Sequence, residues 1–117
     1  MNKRFRLKKS SDFQRVRRSG KAIAHPFVVL LYLPNGLDQV RIGVAVGKST
    51  GNAVKRNRAK RVMRAAIQAL LPELTPGNDI VLIARKSLLE AKTPELIAIL
   101  QPRMKKAGLL DRLTREP

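Results

Sequence analysis

Apolar residues recur along this chain in two different periods, and the switches between them mark out its elements. Phe13 and Val16 form a short helical stripe behind Ser10-Ser11-Asp12, a run suited to an N-cap, and Ser19-Gly20 stops that helix. Lys21 to Ala24 reads as a short extended piece. Beyond Pro26, the β-rich run Phe27-Val28-Val29-Leu30-Leu31-Tyr32-Leu33 predicts a strand. The turn Pro34-Asn35-Gly36 leads toward a second strand, Val40-Arg41-Ile42-Gly43-Val44-Ala45-Val46, and the two predict a hairpin with a long loop.

From about residue 53 to 71 the period becomes helical. Ala59, Val62, Met63, Ala66 and Leu70 fall on one face; Asn57, Lys60, Arg61, Arg64 and Gln68 fall opposite, with Arg56 and Arg58 on the flanks. Pro72 ends this helix, and Pro76-Gly77-Asn78 is a turn. Asp79-Ile80-Val81-Leu82-Ile83-Ala84 reads as a buried strand. Thr93 is the expected cap of a last helix with Pro94 in its first turn and Leu96, Ile99, Leu100 and Met104 as its stripe. Residues 1–9 form a basic arm, and the polar tail 107–117 is expected to fray.

The resulting order is α-β-β-α-β-α, with a β-α-β crossover between residues 40 and 84. It predicts one α+β domain over residues 1–117: an α/β sandwich with a small mixed sheet, helices packed mainly on one face, and a basic helix at its centre.

Charge changes the picture from fold to partner. The chain has 117 residues and a net charge of +17, yet 44% of its residues are hydrophobic, too many for a disordered basic tail. Residues 55–64 carry six cations and no acid, and no carboxylate occurs between Asp38 and Glu73. Such a stretch is not expected to neutralise itself through internal salt bridges, so an external polyanion is its expected counterpart. A membrane surface fits poorly, because the apolar face of the helix has small residues (Ala59, Ala66) and neither Trp nor Phe. DNA fits poorly too, since no helix-turn-helix pair stands out. The basic N-terminus lacks the apolar stretch of a secretory signal, and the longest apolar run is too short to span a bilayer. Cysteine is absent, so disulfides and thiolate metal sites are excluded. A cytoplasmic location is expected.

Candidate chemistry is sparse. The run Gly43-Val44-Ala45-Val46-Gly47-Lys48-Ser49 falls one residue short of the phosphate-loop spacing, and Gly43 lies within an alternating strand. His25 is the only histidine and has no partner in view. Asp38, Glu73 and Asp79 lie in or next to turns without metal-ligand spacing. No nucleophile–base pair is visible, so neither catalytic nor metal-binding residues are expected. Aromatics are few, and Phe13 either stacks on a base or packs in the core.

At residues 47–64, Gly-Lys-Ser-Thr-Gly-Asn-Ala-Val-Lys-Arg-Asn-Arg-Ala-Lys-Arg-Val-Met-Arg closely resembles the signature of the bacterial ribonuclease P protein component. Arg6-Leu7-Lys8-Lys9 with Asp12, Phe13 and Val16 is similar to the same family, as are Arg41 to Val46 and Asp79 to Lys86. The resemblance implies a crossover of left hand and a large catalytic RNA as partner. That RNA would hold most of the Mg²⁺ and cleave precursor tRNA endonucleolytically, leaving a mature 5′-phosphate end. Carried over by position, Lys48, Asn52, Arg56, Asn57, Arg58, Lys60, Arg61 and Arg64 would contact RNA. Phe13, Arg17 and Tyr32 would bind the single-stranded 5′ leader in a cleft between the sheet and the first helix. Arg17 stands where many members have an aromatic, and Leu30 or Leu31 stands near another usual aromatic. Ser49 replaces a frequent second lysine. The alternative is a non-catalytic RNA-binding protein of ribosomal-protein type.

Overall fold

A four-stranded sheet in the order β1-β2-β4-β3 organises the chain, of which the computed structural model describes residues 5–110. Its strands are β1 (Lys21–Ala24), β2 (Val28–Pro34), β3 (Arg41–Val46) and β4 (Asn78–Ala84). The helices are α1 (Ser10–Ser19), α2 (Ala53–Leu70) and α3 (Thr93–Lys106). The α+β class and small mixed sheet expected from the pattern are present. The expected β2–β3 hairpin is not: β4 lies between these strands, antiparallel to β2 and parallel to β3. The reason is burial on both faces. Residues 79–82 of β4 are all buried, and a strand that is apolar on both sides belongs at the centre of a sheet. Lys21–Ala24, expected only as an extended piece, is a fourth strand on the β2 edge.

The pleat sorts side chains onto two faces. Val28 and Leu30 of β2, Ile42 of β3, and Ile80, Leu82 and Ala84 of β4 join Ala59, Met63, Ala66, Ile67 and Leu70 of α2 and Leu96, Leu100 and Met104 of α3 in the main core. On the other face Leu31 and Val81 meet Val16 of α1 and Leu7, with Phe13, Val29, Leu33 and Ile83 packed around them. Two helices thus cover one face, and α1 alone partly covers the other.

Both ends of the described chain are tied in. Leu7 donates its N–H to the Ile42 carbonyl (2.8 Å), and Arg6 bridges Ile42 in parallel, so residues 6–7 of the basic arm line the free edge of β3. Residues 1–4 lie outside the described residues. The expected fraying does not begin at residue 107. Gly108 (φ +80°) donates to the Lys105 carbonyl and Leu109 to that of Met104, closing α3 with a Schellman turn. Leu109 and Leu110 are buried, and Leu110 bridges Leu74. The rest of the expected tail, residues 111–117, lies outside the described residues. Two caps also differ from expectation. Lys9 rather than a serine precedes α1, its carbonyl accepting from Asp12 and Phe13 N–H. At α3 the cap is Lys92, whose N–H donates to Glu95 Oε1 (3.1 Å), while Thr93 is already helical.

Asp79, the second residue of β4, is fully buried and charged. Arg41 of β3 grips it with two bonds, Nε to Oδ1 and Nη2 to Oδ2, both 2.8 Å. Arg15 of α1 reaches Oδ2 (2.6 Å), and Asn35 Nδ2 reaches Oδ1 (2.9 Å). Arg41 also lies 3.6 Å from Asp12. One cation of the acid-free stretch, Arg41, is therefore neutralised by carboxylates from outside that stretch. Burial alone would raise the Asp79 pKa; the hydrogen bonds from Arg41 and Asn35 and the charges of Arg41 and Arg15 outweigh it and hold the carboxyl below its ordinary value.

A carboxylate with a depressed native pKa stabilises the fold above its unfolded pKa of about 4, and this contribution disappears as pH falls through the native value. Asp79→Asn should therefore lower stability near neutrality by about 3 kcal/mol, since it removes the buried charge that two partly exposed arginines hold. It should also flatten the loss of stability below about pH 4. Urea midpoints measured across pH check both, and an equally steep acid limb in the variant would contradict the assignment.

Candidate nucleic-acid interface

The basic helix is positioned by its own ends and its apolar side. Asn52 caps α2, its Oδ1 accepting from the Lys55 N–H (3.0 Å). Gly51 precedes it at φ +139°, a conformation that disfavours other residues. Ala59, Met63, Ala66, Ile67 and Leu70 are buried against the sheet and α3, while Val62, expected among them, is only half-buried. The two alanines let the helix backbone lie close to the strands.

The cations of α2 are exposed or half-buried, and none is buried. Asn57, Arg58 and Arg61 are exposed; Arg56, Lys60 and Arg64 are half-buried. Among the described residues, none of these cations meets a carboxylate at ion-pairing distance. Asn57, Lys60, Arg61 and Arg64 come together with Val54, itself 75% exposed, around a hollow of about 440 Å³. Arg58 is not among the residues that line it. Arg56 turns back, Nη1 donating to the Gly51 carbonyl (3.3 Å). Lys48 is exposed on the short 3-10 turn (Lys48–Thr50) that leads into the helix. Asn52 is exposed too, but its oxygen is engaged as the cap. Gly43 forms no phosphate loop: it is buried within β3.

Gly43 instead seats an aromatic ring. A Cβ there would overlap the Phe13 side chain, so the ring lies directly on the strand backbone. Phe13 is half-buried; it packs and still reaches the surface. Arg6, Phe13, Gly43 and Arg64 line one small cavity of about 60 Å³, which joins the α1 face of the sheet to the cationic face of α2 around the β3 edge. Register gives this face its rows. Gly43, Val81, Leu31 and Ala22 form one row. The next, Ala45, Ile83, Val29 and Ala24, is half-buried to exposed, an apolar shelf beside α1.

Of the residues expected to line a cleft here, Phe13 is in place and Arg17 is exposed on α1. Tyr32 is not in the cleft. It follows Leu31 in β2, so the pleat turns it to the opposite face, where it packs on the main core and lines a hollow with Arg103 and Lys106. Arg15, Asp79 and Arg6 were missed. A lone acid at the start of an otherwise apolar strand was the available signal for Asp79.

The arrangement presents a cationic surface suited to phosphates. Among the described residues no three His, Cys, Asp or Glu side chains could share a metal ion. Asp79 already accepts bonds from Arg15, Arg41 and Asn35. His25 is engaged locally: Nδ1 accepts from the Phe27 N–H (3.0 Å), and its ring meets that of Phe27 edge-on. Burial, then the Arg103 charge, push its pKa down. No described helix is long and apolar enough to cross a membrane.

Residues 1–108 match the ribonuclease P family. The ribonuclease P protein component of Caldanaerobacter subterraneus subsp. tengcongensis is 37% identical over 110 residues, 94% of this chain and 95% of that protein. That of Streptococcus pyogenes serotype M49 is 40% identical over 112 residues, covering 96% and 93%. Among solved structures, the Staphylococcus aureus RNase P protein superposes with a TM-score of 0.80 at 31% identity, covering 92% of this chain and 98% of that one. The Thermotoga maritima RNase P protein gives 0.76 at 30% identity, covering 86% and 96%.

Each exposed cation that contacts a phosphate should add about one to the slope of log affinity against log salt. Arg58→Ala and Arg61→Ala should each shallow that slope by about one, with far-UV circular dichroism unchanged; an unaltered slope would remove the residue from the interface. Gly43→Ala should displace Phe13 and cost about 1–3 kcal/mol, read as a shifted urea midpoint. A shift near zero would mean the ring can move aside.

Proposed function

Since the chain belongs to the ribonuclease P protein component family, we infer that it is the protein subunit of a bacterial ribonucleoprotein endoribonuclease that removes the 5′ leader of precursor tRNA. The observation that carries this is the face of α2: six cations, no acid, and no ion pair among the described residues, on a helix whose other face is anchored in the core. Lys48, Asn52, Arg56, Asn57, Arg58, Lys60, Arg61 and Arg64 hold the catalytic RNA by its phosphates. The apolar shelf beside α1, with Phe13 at one end and Arg17 exposed on that helix, takes the single-stranded leader. Its few aromatics make charge a larger part of leader recognition than stacking.

Chemistry belongs to the RNA. The Mg²⁺ on which ribonuclease P depends finds no fitting donor set among the described residues, because α2 has no carboxylate and Asp79 is already held by two arginines and an asparagine. The protein's part is electrostatic. RNA and substrate repel one another, and a chain of net charge +17 at their junction lowers that repulsion and with it the divalent cation required. The work is cytoplasmic, where precursor tRNA is processed.

Reconstitution tests this. The protein, a bacterial ribonuclease P RNA and a precursor tRNA are combined at low Mg²⁺, where the RNA alone is slow. Faster leader release that vanishes when Arg58, Lys60, Arg61 and Arg64 are neutralised is the expected result. Tight RNA binding without acceleration would assign the chain to plain RNA-binding proteins of the ribosomal kind. In the same assay Phe13→Ala should raise KM for leader-bearing precursors more than it weakens binding to the catalytic RNA; equal losses would make Phe13 purely a packing residue.

A further inference from the structure

On the sheet face opposite Phe13, a second cationic hollow opens at the β1 edge. Ile23 of β1, Tyr32 of β2, and Arg103, Lys106 and Ala107 at the end of α3 enclose about 510 Å³. That is within the roughly 300–1,000 Å³ typical of ligand sites. The hollow shares no residue with the one on α2. Register sets Lys21 directly beside Tyr32 in the neighbouring strand. Lys21 and Lys106 are exposed and meet no carboxylate among the described residues. Arg103 donates Nη1 to the Ile99 carbonyl (2.9 Å), which holds its guanidinium against its own helix beside the hollow. None of the lining residues is acidic.

An aromatic ring in a concave wall, flanked by cations, fits a nucleotide: the ring takes the base face and the cations take the phosphates on either side. We propose that this hollow is a second single-stranded RNA site, in which Tyr32 stacks on a base while Arg103 and Lys106 hold the flanking phosphates. A segment seated here is distinct from one lying over Phe13, because Leu31 and Tyr32 point to opposite faces of β2. The protein then engages RNA on both sides of its sheet. The assignment requires an RNA partner, as the proposed function does, but not ribonuclease P activity.

Tyr32 is the only tyrosine, and the chain has no tryptophan, so intrinsic tyrosine emission reports this hollow alone. The full chain is titrated with a short oligoadenylate at fixed salt, with emission corrected for RNA absorbance. Saturable quenching is expected. Arg103→Gln with Lys106→Gln should weaken it about tenfold and shallow its salt slope by about two. Lys86→Gln, an exposed cation outside both hollows, should leave it unchanged. Should the double variant fail to fold by circular dichroism, Lys106→Gln alone, at an exposed position, must still weaken quenching severalfold. Absent quenching, quenching indifferent to Arg103 and Lys106, or an equal loss in Lys86→Gln would overturn the proposal. Stronger quenching by polyglutamate than by oligoadenylate would overturn it in favour of an acidic protein partner. Quenching that persists in a chain inactive in reconstitution would support this site while refuting the ribonuclease P role.

Discussion

A single buried carboxylate holds the arrangement together. Asp79 has no exposed surface, and a charge so placed is tolerated only when its oxygens are satisfied. Its partners come from three places: Arg15 from α1, Arg41 from β3 and Asn35 from the loop between β2 and β3. The helix that forms one wall of the apolar shelf is thus registered against the central strand by charge at Arg15 and by ring packing at Phe13 on Gly43. Arg15 remains 37% exposed at its side chain, so its bond is partly screened, and Arg41 carries the larger share of the neutralisation.

Against this paired charge stands a helix whose cations meet no carboxylate among the described residues. On α2 the pairs Arg56–Lys60, Lys60–Arg64, Arg58–Arg61 and Arg61–Arg64 face each other one turn apart. At about 0.2–0.5 kcal/mol each, these repulsions sum to roughly 1–2 kcal/mol. Burying Met63, Ile67 and Leu70 alone contributes about 1.5–3 kcal/mol apiece. Packing therefore wins, and the helix stands with its charge uncompensated. A phosphate partner then gains the interactions that the fold itself leaves unmade.

The basic helix was legible because two signals agreed: a 3.6-residue apolar period and a run of cations free of acids. Its two faces, apolar inward and basic outward, could be read without any tertiary information. The sheet order was not, because β2 and β3 look like neighbours locally, whereas pairing with β4 is decided by burial that only the assembled sheet defines. In the sequence Asp79 reads as a residue beside a turn; its meaning depends on Arg15 and Arg41, far away in the chain. Tyr32 was assigned to the cleft from its nearness to a familiar aromatic position, although the two-residue period of a strand assigns Leu31 to that face instead. Ile67, buried but unnamed, lies at the margin of the helical stripe. The chain end was read as polar from composition, and the capping glycine with its two following leucines was overlooked.

Of the two inner strands, β4 comes after every other described strand in the chain, so the sheet cannot close until it has been made. Until residues 78–84 have been synthesised, β2 lacks its inner neighbour, β3 has no strand partner, and α1 has no carboxylate for Arg15. The basic helix leaves the ribosome before the sheet it packs on exists. For that interval a cationic segment without its packing partners emerges beside ribosomal RNA, and its assembly waits on β4.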